Sequence, residues 1–253
     1  MRPLPADACA ALVERGDPDR FAATMAAPPA LRPRLWPLYA YNLEVARAPW
    51  VTQQPLIAEM RLQWWRDVVA GDAAPAHEVA GPLMGLVRDA GLPRDALDGM
   101  AAARRWDIGT DPFEDQAAMD RYLEDTGGAL MELAARALGA EARVAGLARG
   151  AGWAMAVAQF LRAAPDLSAR GRVPLVDDGP DALRDLAARA LARLDAVRGV
   201  PRGVAPAFWP GWQTRGLLRR VATDPAAVTE GRMALPEFTR RAGLLWRALS
   251  GRP

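Results

Sequence analysis

The sequence predicts an all-α fold, and three observations carry that prediction. Apolar residues recur at steps of three and four along nearly the whole chain. No run of alternating β-branched residues reads as a strand. Prolines and glycines fall where one helical run ends and the next begins. With 51% hydrophobic and 25% charged residues among 253, the chain can bury a sizeable core, which excludes disorder as its main state. The longest charge-free stretches, Gly150 to Leu161 and Gly203 to Thr214, fall well short of the roughly 18–20 residues that a membrane span needs.

In chain order, Asp17 and Asp19 flank Pro18 just before Phe21, Ala22 and Met25, a helix N-terminus, and Pro28–Pro29 stop that helix. A second helix is predicted over about 34–47, stopped by Pro49, because proline removes a backbone donor and restricts the residue before it. A third runs over about 55–69 and ends at Gly71, and shorter ones cover about 78–90 and 94–107. The segment over about 114–138 has the clearest one-sided stripe: Met119, Tyr122, Leu123, Thr126, Gly127, Leu130, Leu133 and Ala137. An Ala- and Gly-rich helix follows over about 141–162. Residues 163–180, with their prolines, glycines and Asp177–Asp178, are predicted as a loop. Helices over about 181–198, 214–222 and 236–249 complete the pattern, with an irregular Pro-, Gly- and Trp-rich connection at 199–213. No repeat and no firm boundary divides the chain, so residues 1–253 read as one domain.

The net charge is +2 and all 32 cations are arginine. Arginine without lysine, beside abundant Ala, Gly and Pro, reads as coding bias, and no nucleic-acid partner is expected. Residues 1–106 are balanced, 107–132 carry a net −7 and 201–253 a net +6. The last segment suits a solvated surface partly paired with the acidic one, or a face for phosphates or an anionic membrane. One cysteine, Cys9, excludes an intramolecular disulfide and a cysteine-based zinc cage. With His77 as the one histidine, the pair reads as a small apolar residue and a solvated loop side chain rather than a catalytic couple. The first twenty residues lack the apolar run of a secretory signal, so the expected location is the cytoplasm, with a position peripheral to the inner membrane as the alternative.

Four stretches could carry chemistry. In PLIAEMRLQWWRDVV, Glu59, Gln63 and Arg66 share one helix face, and Arg61 and Trp65 another. Such a polar stripe lines a cleft or, more commonly, forms a salt-bridged outer face over buried tryptophan. In YLEDTGGALMEL, Tyr122 is followed one turn later by Thr126, Gly127 and Gly128. Glycines inside a helix cost about 1 kcal/mol each, so a neighbouring helix or a ligand chain must approach closely. GWAMAVAQFLR ends with Gln159 and Arg162 on one face, a weak anion-binding pair. Asp107 and Asp111 form D-x-x-x-D, which on a helix sets two carboxylates at magnesium reach, although Gly109 and Pro112 interrupt it. Acidic enrichment at the start of the next helix is the plainer reading. No Walker loop, G-x-G-x-x-G, G-x-S-x-G or zinc-type histidine spacing is present.

Over residues 17 to 175 the chain resembles the squalene/phytoene synthase family of all-α prenyltransferases. The carriers are DPDRF, LYAYNLEVAR, EMRLQWWRD, Asp107 of RRWDIG, YLEDTGGALMELAARALG and GWAMAVAQFLRAAPDLSARGRVPL, in that order. Residues 176–253 match poorly, and 199–253 form a divergent Arg- and Trp-rich part. The resemblance implies an isoprenoid-synthase-like bundle around a central cavity. In such a family, magnesium held by two aspartate-rich motifs draws pyrophosphate from an isoprenoid diphosphate, and the allylic cation is attacked by a second chain.

Both acidic motifs depart from that pattern. Where the first is expected, the chain reads Ala46, Arg47, Ala48, Pro49 and Trp50. Where the second should begin and close stand Ala163 and Leu167. The resemblance is strongest to a branch with degenerate acidic motifs, whose mitochondrial members act in assembly of respiratory complex I. By resemblance, the chain is expected to be an accessory or assembly-type protein with no catalytic residue and no cofactor. A substrate or lipid pocket would be formed by Tyr41, Gln63, Arg66, Tyr122, Gly127, Gln159 and Arg162, with Asp107 and Asp111 as the weak metal candidates. Expected partners are an isoprenoid or lipid ligand, and a protein or membrane surface. The alternative is an active prenyltransferase joining two isoprenoid diphosphates head to head, its Mg2+ held in a shifted site by Glu44, Asp107, Asp111 or Asp166. A third reading is a membrane- or partner-binding module led by the C-terminal arginines with Trp209, Trp212 and Trp246.

Overall fold

Asp17 accepts a hydrogen bond from the Arg20 amide at 2.9 Å, with Pro18 in the first helical position, so the helix predicted there begins as its sequence dictates. The computed structural model describes residues 5–73 and 75–253, and its regular structure is helical throughout. The order is α1 (Pro5–Gly16), α2 (Pro18–Ala26), α3 (Trp36–Arg47), α4 (Pro55–Ala70), α5 (Ala80–Ala90), α6 (Arg94–Ala103), α7 (Gln116–Leu123), α8 (Ala129–Ala137), α9 (Ala142–Ala169), α10 (Pro180–Asp195), α11 (Thr214–Thr223), α12 (Ala226–Thr229) and α13 (Glu237–Ser250). Short 3-10 turns lie at Arg32–Arg34, Arg104–Asp107, Ala205–Ala207 and Trp209–Gly211.

The 28-residue α9 runs through the centre, and its side chains from Val144 to Ala164 are largely buried. A helix apolar nearly all round must be enclosed on every side. One face, with Val144, Ala148 and Met155, joins a core built from α1, α3, α4, α5, α6 and α8 around Tyr39, Tyr41 and Leu62. The other, with Trp153, Val157 and Leu161, joins a core shared with α7, α10, α11 and α12. Trp209 and Trp212 pack with Ala23 and Ala27 in a third cluster beneath α13.

Three expectations are corrected. The helix predicted to stop near 162 continues to Ala169 through Pro165. An internal proline costs about 3 kcal/mol, and the burial of Ala164 together with Leu167 on the second core holds the extra turns. The helix predicted over 114–138 is interrupted by a π turn at Glu124–Gly128, and its apolar stripe survives the wider turn: Met119, Leu123, Thr126, Leu130 and Leu133 are all buried. Helices α1 and α12 were not expected. Pro225 sits at the N-cap of α12, and four residues are too short for a periodic signal.

Candidate functional site

A cavity of about 180 Å³ opens where α2, α3, α7, α8 and α9 converge. Arg20, Asn42, Arg104, Tyr122, Gly127 and Gln159 supply its polar and backbone wall, and Leu130, Met155 and Phe160 part of its apolar one. The π turn brings α7–α8 hard against α9. A Cβ on Gly127 would stand 2.6 Å from the Ala156 Cβ and 2.9 Å from the Gly152 carbonyl oxygen, and one on Gly152 would stand 2.8 Å from the Met131 Cβ. Helix packing therefore accounts for the glycines, and the backbone they expose becomes cavity wall.

At one end of the cavity three charged or polar groups interlock. The Arg104 Nη1 donates to the Tyr122 hydroxyl at 2.7 Å and to Asp107 Oδ2 at 3.2 Å. The Tyr122 hydroxyl lies 3.1 and 3.0 Å from the two Asp107 oxygens, to which it donates. Burial pushes the Tyr122 phenol up; Arg104 opposes that shift and Asp107 adds to it, so the phenol stays protonated. Burial alone would lower Arg104, but Tyr122 and Asp107 more than offset it, so Arg104 remains a cation. Behind Asp107, the buried Arg172 donates to the carbonyls of Trp106, Asp107 and Gly109 and packs between the rings of Trp50 and Trp106. This clamp fixes the turn that carries Arg104 and Asp107.

Arg20 is different. Its side chain is 5% exposed, and its buried Nε and Nη1 have no hydrogen-bond partner among the described residues. Asp17 lies 3.4 Å from Nε without a hydrogen bond to it, and the Tyr39 ring centre lies 5.1 Å from the guanidinium carbon. A buried guanidinium left unsatisfied is costly unless something else meets it. The cavity thus presents two arginines, and no carboxylate lines it.

The expected pocket residues separate into two groups. Tyr122, Gly127 and Gln159 meet in this cavity. Tyr41 is wholly buried and donates to the Leu97 carbonyl at 2.7 Å. Gln63 donates to Asp67 at 2.8 Å on an exposed face, and Arg66 makes a two-pronged pair with Asp98 at 2.7 and 3.0 Å. With Glu59 paired to Arg105 at 2.9 Å, the polar face of α4 is the salt-bridged exterior over buried Trp65. Arg162 is exposed, one turn beyond Gln159. Arg20 and Arg104 were missing from the expected set, although both lie in the quoted stretches DPDRF and RRWDIG. A lone arginine gives no sign of whether it will be buried.

His77 is half-buried, its ring centre 5.2 and 5.3 Å from those of Trp64 and Trp65, so it is not the solvated loop residue the sequence suggested. These aromatics, with Glu44, Ile57, Met60 and Arg61, line a separate groove of about 380 Å³. Cys9 is buried, as expected of a small apolar residue, and its thiol is pushed up to about 12 by burial and by Glu78.

The residues present do not fit a magnesium cluster. Glu44 faces the separate groove, Asp107 is taken up by Tyr122 and Arg104, and Asp111 and Asp166 are exposed. Among the described residues, no group of three or more His, Cys, Asp or Glu side chains is placed to hold a metal ion.

Residues 13–179 match the squalene/phytoene synthase family. A curated relative, "NADH dehydrogenase (ubiquinone) complex I, assembly factor 6" of Bos taurus, is 26% identical over 174 residues, which cover 67% of this chain and 52% of the relative. The chain therefore spans about half the length of that relative. Among solved structures, a dehydrosqualene synthase in complex with ligand superposes with a TM-score of 0.74 at 14% identity, covering 97% of this chain and 95% of its own. Squalene synthase HpnC from Alicyclobacillus acidocaldarius superposes with a TM-score of 0.62 at 17% identity, covering 98% and 95%. The helical order is that of the isoprenoid synthase fold, and with a family match over most of its length the chain belongs to the squalene/phytoene synthase family.

Proposed function

We propose that this chain is a non-catalytic accessory protein that keeps the family's cavity as a binding site for an anionic head group of an isoprenoid or other lipid. One observation carries the reading: among the described residues the cavity is lined by Arg20 and Arg104 and by no carboxylate, and two buried nitrogens of Arg20 have no hydrogen-bond acceptor. A family member that works through magnesium needs acidic side chains at the diphosphate, whereas guanidinium groups meet phosphate oxygens directly. The size of the cavity supports the same reading. At about 180 Å³ it is only slightly larger than a cavity of ~150 Å³ that holds benzene. It suits a head group and the start of a chain better than two prenyl tails. The bovine relative bears the name of a complex I assembly factor, and assembly of a respiratory complex is the role proposed for this chain.

The test is a thermal-unfolding titration of the purified chain with inorganic pyrophosphate and with farnesyl diphosphate, in EDTA and in Mg2+, alongside a pyrophosphate-release assay. Stabilisation in EDTA that disappears in Arg20→Met, with no Mg2+-dependent release, is the expected result. Sustained Mg2+-dependent release of pyrophosphate from a prenyl diphosphate would overturn the reading in favour of an active prenyltransferase.

A further inference from the structure

Helix α13 leaves most of its large apolar side chains outside the globule. Its outward face carries Phe238, Leu245, Trp246 and Leu249, exposed by 84, 60, 65 and 76%. These positions, with exposed Ala242, follow helical steps of three and four and make one continuous apolar stripe. The inward face packs Leu244 against the Trp209–Trp212 cluster and is held further by polar contacts. Arg240 pairs with Asp19 at 2.6 Å, the Trp212 indole donates to the Arg240 carbonyl at 3.0 Å, and the Trp209 indole donates to the Arg252 carbonyl at 2.8 Å. Arg247 is half-buried there and donates to the Trp212 carbonyl. Two of the three C-terminal tryptophans thus anchor the helix, and the third faces out.

The surrounding charge selects the occupant. Residues 201–253 carry a net +6. Five of the eight acids in residues 107–132 are taken up elsewhere: Asp107 by Arg104, Asp120 by Arg189, Glu124 by Arg149 and Arg193, and Asp125 and Glu132 by Arg149. On α13 itself Arg240 and Arg241 are paired with Asp19 and Glu237, so the cationic charge left over lies at its C-terminal end, where Arg252 and Arg202, the latter beside Gly251, make no ion pair among the described residues. A second copy of the chain packed on the same stripe would set two cationic segments face to face, which costs affinity. An anionic bilayer surface satisfies both features, taking apolar side chains below its head groups and arginines among its phosphates.

We propose that α13 is an interfacial helix that docks the chain on an anionic membrane surface through Phe238, Leu245, Trp246 and Leu249. Docking needs no spanning segment, and no helix among the described residues is long and apolar enough to cross a membrane. The proposal does not depend on what the central cavity binds.

Co-sedimentation of the full chain with phosphatidylglycerol-containing and with pure phosphatidylcholine vesicles tests it. Binding to the anionic vesicles is expected, weakened by salt, and lowered about tenfold or more in Leu245→Gln/Trp246→Gln/Leu249→Gln. All three residues are exposed, and an unchanged unfolding midpoint verifies that the variant is folded. Quenching of tryptophan fluorescence by brominated lipid should fall in Trp246→Phe. No vesicle binding by the wild-type chain would overturn the proposal, as would equal binding by the triple variant. A dimer in sedimentation velocity that the triple variant dissolves, without vesicle binding, would overturn it and assign the stripe to self-association.

Discussion

The two sides of the segment from Asp120 to Glu132 handle charge in opposite ways. On the outside, carboxylates are met by arginines of α9 and α10: Arg189 reaches Asp120 at 2.7 Å, Arg193 reaches Glu124, and Arg149 reaches Glu124, Asp125 and Glu132 at 3.2, 3.0 and 3.2 Å. On the inside, the same segment walls a cavity where buried Arg20, with Asp17 3.4 Å away, keeps two nitrogens without a hydrogen bond among the described residues. Charge matched within the chain is scaffold, and its contribution is modest because much of it is exposed. Buried donors left without an acceptor imply a partner from outside the chain. The count of charges in the segment, a net −7 over residues 107–132, does not distinguish the two sides.

Substitutions can sharpen or break this contrast. The largest effect is expected from Arg172→Ala, which strips the donors from three carbonyls and leaves two tryptophan faces bare. A loss of about 3 kcal/mol is expected by urea denaturation, and a wild-type midpoint would show that the turn carrying Arg104 stands without its clamp. Gly127→Ala follows, with a loss of about 2 kcal/mol from overpacking against Ala156 and the Gly152 backbone. Arg20→Met should behave in the opposite sense, leaving stability unchanged or raising it by about 1 kcal/mol while abolishing the response to pyrophosphate. Marked destabilisation by Arg20→Met would make that arginine scaffold after all. Arg149→Ala should cost about 1 kcal/mol at low ionic strength and less in high salt, since its partners are partly solvated.

The smallest effect belongs to Cys9. Because its folded pKa is raised from 9.0 to about 12, the stability it contributes is complete below pH 9 and is lost as pH rises towards 12. Cys9→Ala should flatten the alkaline decline of the unfolding midpoint over that window. At pH 8 the native thiol should react with a thiol reagent about a hundredfold or more slowly than in urea.

The helices and most of their limits were legible in the sequence because caps, prolines and apolar spacing act within a few residues. Asp17 with Pro18, Pro55 and Gly71 mark ends that the structure keeps. The stripe on 114–138 named residues that are nearly all buried, yet not the π turn, where Gly127 and Gly128 lie against α9. Tyr122, Gly127 and Gln159 were legible as a group through the resemblance. Gln63 and Arg66 were not separable from them in sequence, since their carboxylate partners are Asp67 in the next turn and Asp98 on another helix.

By itself, the sequence determined an all-helical chain of one family, with a single thiol and no long apolar span, because composition and periodicity are properties of the chain alone. Tertiary structure decided which arginines are spent on partners and which are left over, and that α13 turns its apolar side outward. Pairing and burial depend on which distant residues come within a few ångströms, and local spacing does not encode that.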